Sequence, residues 1–108
     1  MSESKRGGTR VSCDIWATLA FLKNPDLPPE PCRIIVVNSQ ECGIKFYRPL
    51  ELGTRVQFQR LPTHRNVIAR VVNCTDLRPY EQSWFIQLTL DESGNVWGIE
   101  KPPGDWQI

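Results

Sequence analysis

The chain has 108 residues, a hydrophobic fraction of 40% and a formal net charge of +1. That length accommodates one domain with a modest core. A charge so close to zero excludes the broad basic surface of a general polyanion binder, so neither DNA nor RNA is expected as a partner. Any anion that this protein binds must therefore be held by a local cluster of charges.

The first ten residues, hereafter the arm, are polar and show no apolar periodicity. A polar terminus of this kind is expected to be mobile. Arg6 and Arg10 lie four positions apart, with Gly7 and Gly8 between them. Each guanidinium offers a planar fork of donors that fits phosphate oxygens or the edge of guanine. The sequence thus predicts a flexible arm over residues 1–10 that carries a clamp for an anionic planar ligand.

From residue 11 onward, apolar and polar side chains alternate with a period of two, which is typical of strands with one buried face. The segment 24–31 contains four prolines and is predicted to be a stiff loop. Strands are predicted over residues 11–21, 32–37, 43–47, 54–60, 67–74 and 83–90. Short strands separated by Gly and Pro turns indicate an all-β sandwich or small closed barrel.

A tail over residues 91–108 follows the last predicted strand and contains several prolines and glycines. We expect two of its side chains, Trp97 and Trp106, to pin it against the barrel, because a tryptophan buries a large apolar area. The domain is therefore taken to extend over residues 11–108, with the tail as its C-terminal extension.

The four cysteines show no spacing typical of a metal site. Cys13, Cys32, Cys42 and Cys74 form no Cys-x-x-Cys pair, and the single histidine, His64, lies in a predicted turn away from them. We therefore expect no bound metal, and we expect the thiols to act as small apolar side chains.

The sequence gives no indication of membrane insertion or secretion. It contains no apolar run near the eighteen residues that a spanning helix needs, and its polar N-terminus has no signal-peptide pattern. A cytoplasmic location with reduced thiols is the corresponding expectation.

Four short motifs occur in an order and spacing that together resemble the PilZ domain, a bacterial receptor module for cyclic di-GMP. The resemblance covers nearly the whole chain, and it implies a six-stranded antiparallel β-barrel with the ligand at its rim and no further cofactor. The motifs are Arg-x-x-x-Arg at 6–10, Asn-x-x-x-x-Gly at 38–43, Leu-x-x-Gly at 50–53 and Ala-Arg-Val-Val at 69–72.

The resemblance also implies a set of ligand-binding residues. Arg6 and Arg10 take the positions that clamp guanine and phosphates, and Asn38 takes that of an acceptor for guanine donors or for an arginine. Gly43 takes the position where a missing side chain allows close approach. Gln40 stands where the family has serine, and its longer amide side chain can also donate to a phosphate.

The function expected from this reasoning is non-enzymatic binding of cyclic di-GMP, with the arm ordering on binding and signalling to a protein partner of unknown identity. An enzyme is not expected, because the chain has no paired-carboxylate motif, phosphate-binding glycine loop or metal cluster. One alternative stays open: the protein is a PilZ-like interaction module that binds no nucleotide. The presence of Gln40 in the serine position is also consistent with that function.

Overall fold

A computed structural model describes residues 7–106, so the predicted clamp residue Arg6 lies outside the described part of the chain. Residues 7–106 contain no helix, which confirms the prediction of an all-β protein. The strands are β1 (Val11–Phe21), β2 (Glu30–Val37), β3 (Glu41–Phe46), β4 (Arg55–Gln59), β5 (Val67–Asp76) and β6 (Trp84–Leu90).

The six strands form one closed antiparallel barrel in the order β1-β2-β3-β6-β5-β4. β1 pairs with both β2 and β4, and β6 joins the β2–β3 hairpin to β5. Closure pairs every described strand on both sides, so the sheet presents no open edge to another chain. The barrel, rather than the sandwich, is the architecture that the sequence adopts.

Two strands begin earlier than their sequence patterns predict. β2 starts at Glu30, inside the proline-rich loop, because the long β1 extends far enough to pair Leu19 with Glu30 and Thr18 with Pro31. The missing N–H of Pro31 is tolerated there because its position has no β3 partner in the register. β3 starts at Glu41, whose carbonyl accepts a hydrogen bond from Asn38 N (2.9 Å) that closes the hairpin.

Alternate residues of every strand fill the barrel interior. The tail adds Trp97, which is fully buried and packs edge-to-face on Phe58 with ring centroids 5.7 Å apart. Trp106 is also buried, which confirms that both tryptophans pin the tail. Fully buried strand residues include Leu19, Ile34, Ile44, Val56, Phe58, Val67, Ile86 and Leu88.

Three strands carry register irregularities at one level of the barrel, beside the β2–β3 turn. They lie between Ser12 and Ile15 in β1, between Ile34 and Val36 in β2, and beyond Val71 in β5. A bulge redirects side chains and increases the local twist of its strand. At this level the outer face of the barrel therefore departs from a regular pleat.

Two of the thiols belong to the core. Burial raises the pKa of Cys32 to about 12 and that of Cys42 well above the usual range, so both stay protonated and behave as small apolar groups. Cys13 and Cys74 are half-buried, and all four cysteines are free thiols. Within residues 7–106 no three potential ligands come together as a metal site, and no helix there is long and apolar enough to span a membrane.

Candidate functional site

The first described residues of the arm are bonded to the β2–β3 turn, residues 38–40. The carbonyl oxygen of Gly7 accepts hydrogen bonds from Ser39 N (3.1 Å) and from Ser39 Oγ (3.0 Å). The next carbonyl, that of Gly8, accepts one from Asn38 Nδ2 (3.2 Å). The turn therefore holds two successive peptide groups of the arm.

The tail holds the next residue of the arm. Thr9 N donates to both carboxylate oxygens of Asp105 (3.0 and 3.1 Å), and Thr9 Oγ1 donates to Asp105 Oδ2 (2.7 Å). The indole Nε1 of Trp106 donates to the carbonyl oxygen of Thr9 (2.7 Å). Both peptide groups of Thr9 are thus fixed by residues almost a whole chain length away.

The sequence predicted a flexible arm over residues 1–10. For residues 7–10 the structure differs from this prediction, because the turn and the tail hold this part of the arm. Gly7 and Gly8 permit the turn and the tail to approach the arm closely. A Cβ on Gly7 would lie 2.5 Å from Asn38 Oδ1, and one on Gly8 would lie 2.7 Å from the Asp105 carbonyl oxygen. Both glycines also have positive φ, at 82° and 84°, a region that other residues rarely adopt.

Asn38, predicted to accept hydrogen bonds from the ligand, is buried and serves the turn. Its Oδ1 accepts from the backbone N–H groups of Gln40 (2.9 Å) and Glu41 (2.7 Å), while its Nδ2 donates to the arm. Its carbonyl oxygen accepts from Trp97 Nε1 (2.7 Å). Asparagine favours such turns because its side chain can bond to backbone groups two or three residues ahead.

Gln40 contributes backbone groups to the same turn. Its N–H donates to Asn38, and its carbonyl oxygen accepts from Leu90 N (2.7 Å) at the end of β6. Of the described residues with predicted ligand roles, Gln40 is the one that does not line the cleft described below.

Gly43 is required by packing between strands. A Cβ at this position would lie 2.5 Å from Cζ of Phe85 and 2.8 Å from Cγ1 of Val36. The aromatic ring of Phe85 thus occupies the space that a side chain at position 43 would need. The resemblance implied an approach by ligand or backbone at Gly43, whereas the groups that lie closest in the structure are the side chains of Phe85 and Val36.

A cleft of about 180 Å³ lies on the outer face of the barrel beside the arm. It brings together Arg10, Asn38 and Gly43, three of the residues predicted from sequence. Its walls combine apolar Val36 and Val72 with polar side chains. The lining residues are Arg10, Val36, Val37, Asn38, Glu41, Cys42, Gly43, Val72, Asn73, Gln87 and Leu88.

The register explains why distant residues share this cleft. Val36 pairs with Gly43, Gly43 with Gln87, and Gln87 with Asn73, so the four positions form one row across β2, β3, β6 and β5. The amides at the end of the row are bonded, with Asn73 Nδ2 donating to Gln87 Oε1 (3.1 Å). Val72, the extra residue of the β5 bulge, is exposed beside them.

Arg10 carries the positive charge of the cleft and faces one carboxylate. Its Nη2 lies 3.6 Å from Oε1 of Glu41, and the two side chains are 59% and 26% exposed. An ion pair this exposed contributes on the order of 0–1 kcal/mol, because water screens it and two side chains lose freedom. The guanidinium can therefore exchange Glu41 for a stronger anion at small cost.

The sequence prediction did not include Glu41, Asn73 or Gln87. Glu41 lies inside the turn motif, close in sequence to the predicted site residues. Its position beside Arg10, however, depends on strand register, through the pairing of Val11 with Val37 and of Val37 with Cys42. Asn73 and Gln87 come from strands whose order around the barrel no local pattern specifies.

The size of the cleft limits what it can enclose. Pockets that enclose a whole small ligand have volumes of roughly 300–1,000 Å³, and this one, at about 180 Å³, is smaller. A ligand that needs more room than this would therefore extend beyond the cleft.

Comparisons of the chain with protein-family models, with curated proteins and with solved structures found no match. Fold and site together define a small closed β-barrel with a cleft that contains an arginine–glutamate pair beside its N-terminal segment.

The packing of Phe85 over Gly43 leads to a prediction about stability. We expect Gly43→Ala to lower the free energy of unfolding by about 1–3 kcal/mol, because the added methyl group forces the ring or Val36 to shift. Chemical denaturation measures this difference. Gly104→Ala is the matched control, since a Cβ there has no neighbour within 4 Å. Equal unfolding free energies for Gly43→Ala and the wild type would contradict the packing described.

Proposed function

We propose that this protein is a non-enzymatic receptor that binds cyclic di-GMP at the Arg10 cleft. The observation that carries the proposal is the position of the Arg10 guanidinium at a cleft that Asn38 and Gly43 also line. Its support from sequence is the order of the four motifs, and the closed six-stranded barrel is the fold that the resemblance implies.

The chemistry of the cleft suits a guanine nucleotide. Guanine presents the acceptors N7 and O6 on one edge, which a guanidinium matches with two donors. A phosphate oxygen is the other natural partner of the same fork. The side chains of Val36 and Val72 give a base an apolar surface to cover, and the amides of Asn73 and Gln87 offer polar groups at its edge.

The ordering of the arm enters the proposal differently from the sequence expectation. Fixing a residue costs roughly 1–2 kcal/mol of conformational entropy. For residues 7–10 this cost is offset by bonds to the turn and the tail, so the ligand does not have to offset it. Binding then exchanges Glu41 for the ligand at Arg10. Arg6, outside the described residues, is proposed to supply the second guanidinium.

A second candidate function is that of a protein-interaction module that binds no nucleotide. Two observations favour it: Arg10 already has Glu41 as a partner, and the Phe85 ring fills the space over Gly43. Large exposed aromatic side chains, Trp16 at 65% and Tyr80 at 93%, would suit contacts with another protein.

Titration calorimetry with cyclic di-GMP at moderate salt separates these two functions. We expect the wild type to bind and Arg10→Ala to bind about 10- to 100-fold more weakly, because charge-assisted hydrogen bonds contribute about 1.5–3 kcal/mol. Arg65→Ala, which removes the same charge from an ion pair with Glu92 away from the cleft, is the matched control. If the wild type shows no heat of binding and no thermal shift with excess ligand, the receptor proposal is wrong and the interaction module is the remaining candidate function.

Because Glu41 competes with the ligand for Arg10, removing its charge is expected to strengthen binding. Glu41→Gln removes the carboxylate that pairs with Arg10 and that repels the ligand phosphates. We expect the dissociation constant for cyclic di-GMP to fall by about two- to fivefold, in line with the strength of an exposed ion pair. Glu92→Gln makes the same change of net charge outside the cleft and should leave the constant unchanged. Weaker binding by Glu41→Gln would show that Glu41 contacts the ligand favourably.

A further inference from the structure

We infer that the C-terminal tail positions the binding site, with Asp105 and Trp106 holding the arm so that Arg10 reaches the cleft. The inference rests on the proposed function, which makes Arg10 a ligand-binding residue, and it adds a regulatory role for the tail. The residues concerned touch the arm and act through it, so they are positioning residues.

Asp105 fixes the amide side of Thr9. Its two carboxylate oxygens accept three hydrogen bonds, two from the backbone N–H and one from the hydroxyl of Thr9, at 2.7–3.1 Å. Hydrogen bonds to an ionised acceptor are stronger than those between neutral groups. The Asp105 side chain thus accepts hydrogen bonds from both the hydroxyl and the backbone N–H of Thr9, the residue that precedes Arg10.

Trp106 fixes the other side of Thr9. Its ring is 5% exposed, and its Nε1 donates to the Thr9 carbonyl oxygen at 2.7 Å. That carbonyl belongs to the peptide bond that joins Thr9 to Arg10. Because the peptide unit is planar, fixing its oxygen also fixes its N–H end, from which Arg10 begins. On its other side Arg10 is followed by Val11, which pairs with Val37 of β2.

The same tail also holds the opposite half of the site. Trp97 Nε1 donates to the carbonyl oxygen of Asn38 in the β2–β3 turn, and Gly94 N donates to that of Ser39 (2.8 Å). Asn95 bonds to both backbone groups of Ile99, at 2.9 Å and 2.8 Å, and so closes a turn of the tail around Trp97. A single segment therefore spaces the turn and the arm relative to each other.

A regulatory consequence follows from thermodynamic linkage. If the tail in its bound position raises the affinity for the nucleotide, then the nucleotide stabilises the tail in that position by the same factor. A partner that draws Asp105 and Trp106 away from Thr9 would weaken nucleotide binding. A partner that binds the C-terminal tail would then respond to whether the cleft contains nucleotide.

The test is calorimetric titration of cyclic di-GMP into the full chain with Trp106→Phe, which keeps an aromatic ring but deletes the N–H donor. We expect binding about three- to tenfold weaker than that of the wild type, the effect of one hydrogen bond. Trp16→Phe is the matched control, because that ring is 65% exposed on β1 and should leave the affinity unchanged. Asp105→Asn replaces Trp106→Phe if the latter does not fold.

A double-mutant cycle with Arg10→Lys separates positioning from general stability. If the tail acts through the guanidinium, Trp106→Phe should cost much less affinity in the Arg10→Lys background than in the wild type. An equal cost in both backgrounds, or unchanged affinity in Trp106→Phe and Asp105→Asn, would overturn the role of the tail while leaving the receptor proposal standing. Absence of binding by the wild type would overturn both.

Discussion

The arrangement of this protein depends on the hydrogen bonds that converge on the β2–β3 turn. The carbonyl oxygens of Asn38, Ser39 and Gln40 accept from Trp97, from Gly94 and from the end of β6. Asn38 and Ser39 are almost fully buried, and buried polar groups that lack partners cost about 1–3 kcal/mol each. The turn thus draws the tail to one of its sides and the arm to the other.

This dependence changes how the motif residues are understood. Asn38 and Gly43 both have roles in the fold, one through the hydrogen bonds of the turn and the other through its packing against the Phe85 ring. Arg10, by contrast, is largely exposed, and among residues 7–106 it forms an ion pair with the partly buried carboxylate of Glu41. An ion pair of this kind contributes little to the stability of the fold, and the guanidinium can bind a ligand instead, so the receptor proposal centres on Arg10.

The sequence predicted much of the barrel because strand formation is a local matter. The alternation of apolar and polar residues was enough to locate six strands, with differences in where β2 and β3 begin. The role of Gly7 and Gly8 was missed because the groups that approach them, Asn38 and Asp105, lie far away in sequence. Glu41 was missed for a related reason, since strand register decides which side chain faces Arg10.

The most direct test of this account is hydrogen exchange of the Thr9 and Ser39 backbone amides in the ligand-free protein, followed by NMR. The hydrogen bonds of Thr9 N to Asp105 and of Ser39 N to Gly7 predict that both amides exchange far more slowly than those of an unstructured chain. Exchange of Thr9 at the unstructured rate, with the strand amides protected, would show a free arm and contradict the account.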